Sequence, residues 1–242
     1  FIGVLAYLVT KIIPGEDEVN KYKALYLDRL LITQAPAIAL GNAKKELVHL
    51  ASYAIQSLEA SYAFFDKGDE KYFDKVEKYE TAVNSIDEEL TTYLIDISNE
   101  SLSVSENEIL ASVLDSVRDL ERIGDLAVAS ASLSQHIHSK GIEFSETAKA
   151  ELADVYNRTH RIILDSIRVV VDDDKVLAGQ VILRHEELEK LAKQLRKIHT
   201  KRLNNGECTA QAGINYVDYL SHYTRIADHA INLVEKVTEG VI

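Results

Sequence analysis

The chain has no methionine, no tryptophan, one cysteine and two prolines among 242 residues. The single thiol, Cys208, rules out an internal disulfide framework and suits a reducing compartment. Two prolines and ten glycines leave few places where a helix must stop, so long uninterrupted helices are expected. No segment alternates apolar and polar residues with period two, which excludes a sheet protein. Positive charge is also scarce. The 27 Lys and Arg against 39 Asp and Glu give a net charge of −12, which argues against nucleic acid as a partner. It fits metal cations, basic partners or solubility alone. No nucleophile–base pair, phosphate loop or nucleotide fingerprint occurs, so no enzymatic activity is expected. With no methionine even at position 1, the chain is expected to be part of a longer one. The opening run from Phe1 to Val9 is apolar but far short of the roughly 20 residues that span a bilayer. It also lacks the basic start of a signal peptide. It reads either as the tail of a membrane helix or as a helix packed on the body.

Three long helices follow a polar linker. The first covers about 37–66, where Leu40, Ala43, Leu47, Leu50, Ala54 and Leu58 recur by threes and fours. Lys67-Gly68-Asp69 turns the chain into a second helix that runs to about Ser98. A third is expected to start near Ser105, with Glu108 completing a capping box, and to close at Lys140-Gly141. The same plan then repeats at about 145–171, 174–204 and 210–238, with breaks at Asp172-Asp173-Asp174 and Asn204-Asn205-Gly206. The expectation is an all-α chain of six long helices in two tandem three-helix bundles. Residues 1–36 form a linker or juxtamembrane segment, 37–140 the first repeat and 141–242 the second.

Residues repeat as well as elements. Asp115, Arg122, Ile123, Asp125 and Ala127 recur 103 positions later as Asp218, Arg225, Ile226, Asp228 and Ala230. On a helical wheel, Leu110, Val113, Val117, Leu120, Gly124, Ala127 and Ala131 form an apolar seam, and Gly124 and Ala127 allow a neighbouring helix to approach. Glu121 and Asp125 flank that seam, one turn apart. Asp115 and Asp119 are read as pointing further outward, with Arg118 and Arg122 among them. Carboxylates at i and i+4 can hold a hard cation or an arginine, and a solvated face neutralised by the two arginines is the bland alternative. In the second copy His222 replaces Asp119 and Thr224 replaces Glu121. His222 and His229 suit a softer metal such as zinc or iron, or an ordinary helix-surface role. Glu80 and Asp87 on the second helix, and His185 and Glu189 on the fifth, are candidate partners across each bundle, or plain surface residues.

The stretch Asp119-Leu120-Glu121-Arg122-Ile123-Gly124-Asp125 and its echo Arg225-Ile226-Ala227-Asp228-His229-Ala230 resemble the paired signatures of the PhoU family, regulators of phosphate uptake. The resemblance covers roughly residues 37–240 and implies two three-helix bundles related by a pseudo-twofold axis, with acid-x-x-x-Asp motifs that bind metal ions. Carried over, the first motif falls on Glu121 and Asp125, with Asp115 and Asp119 in the turns before. The second falls on Asp228, with Asp218 and His222. Thr224 stands where an acid is expected, so the resemblance implies one complete site and one weakened or histidine-adapted site. The ions implied are divalent or trivalent: iron, zinc, magnesium or manganese. Upstream, Pro14, Tyr26-Leu27-Asp28-Arg29-Leu30-Leu31 and Pro36-Ala37-Ile38-Ala39-Leu40 resemble the junction between transporter and PhoU domain in sodium–phosphate cotransporter-like proteins. That implies a cytoplasmic domain at the inner face of the cell membrane. Its implied partners are a phosphate transporter membrane domain, in cis or in trans, signalling proteins and a second copy of itself. Two rivals remain. A metal-free interaction or scaffold bundle explains the acidity and duplication but not the signature. A carboxylate-bridged di-iron enzyme needs Glu-x-x-His on two helices, and only Glu46-Leu47-Val48-His49 has that spacing.

Overall fold

The structure, a computed structural model, describes residues 22–238. The apolar run from Phe1 to Val9 lies outside them. A short helix, α1 (Leu30–Gln34), comes first, in a stretch whose sequence reads as linker. Six long helices follow: α2 (Pro36–Lys67), α3 (Lys71–Ser98), α4 (Val104–Lys140), α5 (Glu146–Asp172), α6 (Lys175–Asn204) and α7 (Ala210–Thr238). No strand occurs among the described residues.

Local chemistry sets the boundaries. Pro36 occupies the first turn of α2, where its missing N–H costs nothing, and Gly68 ends that helix at φ 65°, a left-handed conformation that glycine adopts freely. The capping box of α4 is Ser103 with Glu106, not Ser105 with Glu108. Both pairs have the required spacing. Starting two residues earlier places the Asn107 N–H on the Ser103 carbonyl at 3.0 Å and adds to the helical ladder. Within Asp172-Asp173-Asp174 the work is divided. Asp173 ends α5 at φ 51°, and the Asp174 carboxylate caps α6 by accepting from the N–H groups of Val176 and Leu177.

Helices α2, α3 and α4 pack on one another, as do α5, α6 and α7. Every residue of the α4 seam is buried, and a Cβ added at Gly124 would already touch Val83 of α3 at 3.4 Å. Equivalent helices of the two repeats meet antiparallel. Along α4 and α7, Ser116 faces Lys236 while Ser134 faces Tyr219. Along α2 and α5, Glu59 faces His160 while Tyr62 stacks on Tyr156 at 3.8 Å. That pairing is what a twofold axis between the repeats produces. One continuous hydrophobic cluster, with Leu50, Leu90 and Leu120 from the first repeat and Leu152, Leu188 and Leu220 from the second, runs through both. Each such leucine contributes about 2 kcal/mol on burial.

Candidate functional site

The first motif opens onto the groove between α3 and α4. Glu121 and Asp125 are half-buried there, and Glu80 and Asp87 line the opposite side. Burial raises the pKa of Glu121, and the neighbouring charges of Asp125 and, more weakly, Asp87 push it the same way against the pull of Arg122. Glu80 is also raised, by burial first and then by the charge of Asp125. Burial raises Asp87 too, opposed by its hydrogen bond from Thr91 and by the charge of Arg118. Four carboxylates therefore share one groove, and three of them are held above their ordinary range. Arg122 is the cation on hand: its Nη1 donates to Asp125 Oδ2 at 2.8 Å, and its Nε lies 3.4 Å from Glu121 Oε2. Among the described residues no three His, Cys, Asp or Glu side chains converge closely enough to hold a metal ion. The donor chemistry suits a hard cation, but the spacing does not close a site around one.

The remaining candidates on α4 lie elsewhere. Asp115 is exposed and pairs loosely with the exposed Arg118 at 3.4 Å, an ion pair of little energetic consequence. Asp119 does not point outward as the wheel suggests; it is buried at 9% exposure against α7. Its Oδ1 accepts from Asn232 Nδ2 at 2.8 Å and lies 3.0 Å from His229 Nδ1, and its Oδ2 accepts from Lys236 Nζ at 3.1 Å. The wheel misplaces Asp119 because it registers only the face turned to the helix's own bundle. A second face, packed on the other repeat, is polar and looks like solvent. Asp115 and Asp119 line, with Arg118, Asn232, Glu235 and Lys236, a shallow cavity of about 380 Å³ at this junction.

The second motif is thinner. Asp228 is exposed and accepts a 2.7 Å hydrogen bond from His185 Nε2 of α6. That bond raises the His185 pKa against the opposing effect of burial, with the charges of Asp228, Glu189 and Glu235 helping. Thr224 spends its hydroxyl on the Leu220 carbonyl at 2.9 Å. His222 sits in the α4–α7 interface with Nδ1 3.0 Å from Ser130 Oγ, and burial lowers its pKa. Asp218 is half-buried, and its charge opposes that lowering. The structure thus brings together Glu80, Asp87, Glu121 and Asp125 in one groove and His185 with Asp228 in the other, while Asp119, His222 and His229 join the repeats.

Glu46 belongs to neither site. Fully buried, it accepts from the N–H groups of Leu25 and Tyr26 at 2.8 Å each, and its other oxygen meets His49 Nδ1 at 2.7 Å. The Glu-x-x-His spacing therefore pins the segment before α1, a role no helical pattern reveals because its partners lie 20 and 21 residues upstream.

A family model described as the PhoU domain matches residues 47–133 and 152–237, one segment in each repeat. The chain is 30% identical over 128 residues to the phosphate-specific transport system accessory protein PhoU homolog 1 of Thermotoga maritima. That match covers 53% of this chain and 54% of the relative, so the chain spans about half the length of the curated relative it matches. Its fold is similar to the crystal structure of PhoU from Pseudomonas aeruginosa, with a TM-score of 0.74 at 21% identity over 83% of this chain and 97% of that one. The phosphate transport system regulatory protein PhoU from Streptococcus pneumoniae gives the same TM-score at 15% identity, covering 84% and 95%. Among the described residues no helix is long and apolar enough to cross a membrane.

Proposed function

Because this chain belongs to the PhoU domain family, we propose that it is a metal-binding regulatory domain acting in phosphate transport and homeostasis. The observation that supports metal binding is the crowding of Glu80, Asp87, Glu121 and Asp125 in the α3–α4 groove: burial raises the pKa of Glu80, Asp87 and Glu121, and the charge of Asp125 adds to the rise at Glu80 and Glu121. Carboxylates in that condition gain from a cation of higher charge than one arginine supplies. Glu121 and Asp125 would hold the ion, with Glu80 and Asp87 as the donors nearest to hand, and Arg122 would yield its place. His185 and Asp228 form the counterpart in the second repeat. An ion there would supply charge neutralisation and a tie between neighbouring helices. The protein side of that response is the packing of α3 on α4, which a phosphate transporter's membrane domain, in cis or in trans, would sense at the inner face of the membrane. A sodium–phosphate cotransporter-like partner follows from the sequence upstream of α2, and signalling proteins or a second copy of the chain are further partners under the same reading.

A second reading, a metal-free interaction domain, draws on Arg122 already bridging Glu121 and Asp125. One experiment separates the two. Chelator-treated chain is titrated with manganese, zinc, iron or magnesium, and bound metal and unfolding midpoint are measured. Metal binding is expected in the wild type and is expected to weaken about tenfold or more in Asp125→Asn. No bound metal in the wild type, with equal midpoints in both proteins, would leave the metal-free reading in possession.

A further inference from the structure

We propose that the second repeat carries a binding site for inorganic phosphate, formed by Arg161, Arg168 and Arg184 around the buried Asp165. Asp165 lies on α5 with its side chain 1% exposed. Arg161 Nε donates to Asp165 Oδ2 at 2.7 Å, Arg184 Nη1 of α6 donates to the same oxygen, and Arg168 Nη1 lies 3.6 Å from Oδ1. Three guanidinium groups therefore converge on one carboxylate, leaving two positive charges in excess on a chain whose net charge is −12. Among the described residues no other acid lies within ion-pair distance of any of the three.

The fold does not need this arrangement. One arginine would satisfy a buried aspartate, and buried ion pairs are weak sources of net stability. Placing Arg161, Asp165 and Arg168 on one face of α5 sets two like charges two turns apart, an arrangement an added anion relieves. The repeat supplies an internal control. With the first helices aligned on Ala43-Lys44 and Ala148-Lys149, the positions of Arg161, Asp165 and Arg168 correspond to Gln56, Ala60 and Ala63. The first repeat builds the same helix with none of these charges.

Asp165 instead acts as a positioning residue: its buried carboxylate fixes the forks while their remaining donors stay available. Arg161 gives Asp165 only its Nε, and Arg184 Nη2 makes only a long 3.4 Å contact to Gln180. The side chains of Arg161, Arg168 and Arg184 are 61%, 66% and 35% exposed, so an ion can enter from solvent. Planar forks with several N–H donors suit an acceptor-rich oxyanion, and two excess positive charges match the phosphate dianion. The site is independent of the metal reading of Glu121 and Asp125 and stands if that reading falls.

The test is titration of the full chain with inorganic phosphate by calorimetry, at constant ionic strength in chloride and with chelator present so that metal plays no part. Saturable one-to-one binding is expected. The double variant Arg161→Gln/Arg168→Gln, which leaves Arg184 on Asp165, is expected to bind about tenfold or more weakly while its circular dichroism and its unfolding in chloride stay as in the wild type. Arg161→Lys/Arg168→Lys, which keeps the charge and loses the forks, is expected to fall between. Absence of saturable binding in the wild type, or unchanged binding in the glutamine variant, would overturn the proposal. Tighter binding of O-phosphoserine than of phosphate would overturn its assignment to the free ion.

Discussion

Asp119→Ala decides whether this carboxylate anchors the two repeats or serves as a metal ligand. In the wild type it takes hydrogen bonds from Asn232 and Lys236 of α7, with His229 alongside. The side chains of Asp119 and Lys236 are only 12% and 16% exposed, so the pair is largely removed from water. Losing one buried charged hydrogen bond costs roughly 1.5–3 kcal/mol, and stranding a fully buried partner charge roughly 3–5 kcal/mol. Lys236 lies within the last turn of α7, and its long stem can carry the ammonium toward water. The lower part of the range applies, about 3 kcal/mol. At about 2–4 °C per kcal/mol for a chain of this size, the melting temperature should fall by about 6–12 °C. Urea unfolding followed by circular dichroism, run with and without chelator, gives the number directly. Asp119→Asn keeps an acceptor but no charge for Lys236, and should lose about half as much. A loss in Asp119→Ala below about 0.5 kcal/mol, or one seen only when metal is present, would refute the anchoring role and return Asp119 to the candidate metal ligands.

Two further outcomes follow from the carboxylate grooves. Glu121 has a pKa raised above its ordinary 4.5, so the folded state holds more protons than the unfolded one between those two values, and its contribution to stability declines as pH rises through that window. Glu121→Gln should flatten the decline in metal-free protein, and an unchanged stability–pH curve would count against the crowding. His185 behaves in the opposite sense. Its folded pKa lies above the ordinary 6.5, so the stability it contributes is complete below that value and fades as pH rises through the folded pKa. Asp228→Asn should bring the His185 titration, followed by its ring resonances in NMR, down toward 6.5, and a titration that does not move would show the 2.7 Å contact to be inconsequential.

The helices and their order are legible in the sequence because each long helix carries a seam spaced by threes and fours and a glycine or capping side chain at its end. What periodicity does not carry is any contact between distant residues. The short α1 is too brief to show a period, and the Glu46 clamp joins residues more than five helical turns apart in sequence. The Asp165 cluster leaves one trace, Arg161, Asp165 and Arg168 at helical spacing. Without knowledge that α6 brings Arg184 to the same oxygen, the trace reads as an ordinary charged face.

The duplicated signature shows the same limit in sharper form. Aligned by the repeat, Asp119 and His222 occupy equivalent positions, and the difference between them reads as a metal ligand altered in the second copy. In three dimensions both positions face the opposite repeat across the antiparallel α4–α7 pair. Asp119 meets Asn232, Lys236 and His229, whereas His222 meets Ser130. A pseudo-twofold interface between unequal copies needs complementary residues, not identical ones, so this is where a duplicated chain diverges without loss. Lys236 requires an anion at position 119, while a neutral imidazole suffices beside the Ser130 hydroxyl, and burial lowers the His222 pKa in keeping with that. The pair that faces the carboxylate groove changes differently: Asp125 keeps its counterpart in Asp228, while Glu121 gives way to Thr224. Divergence at 119 and 222 therefore concerns how the repeats are joined, and divergence at 121 and 224 concerns the charge each groove carries.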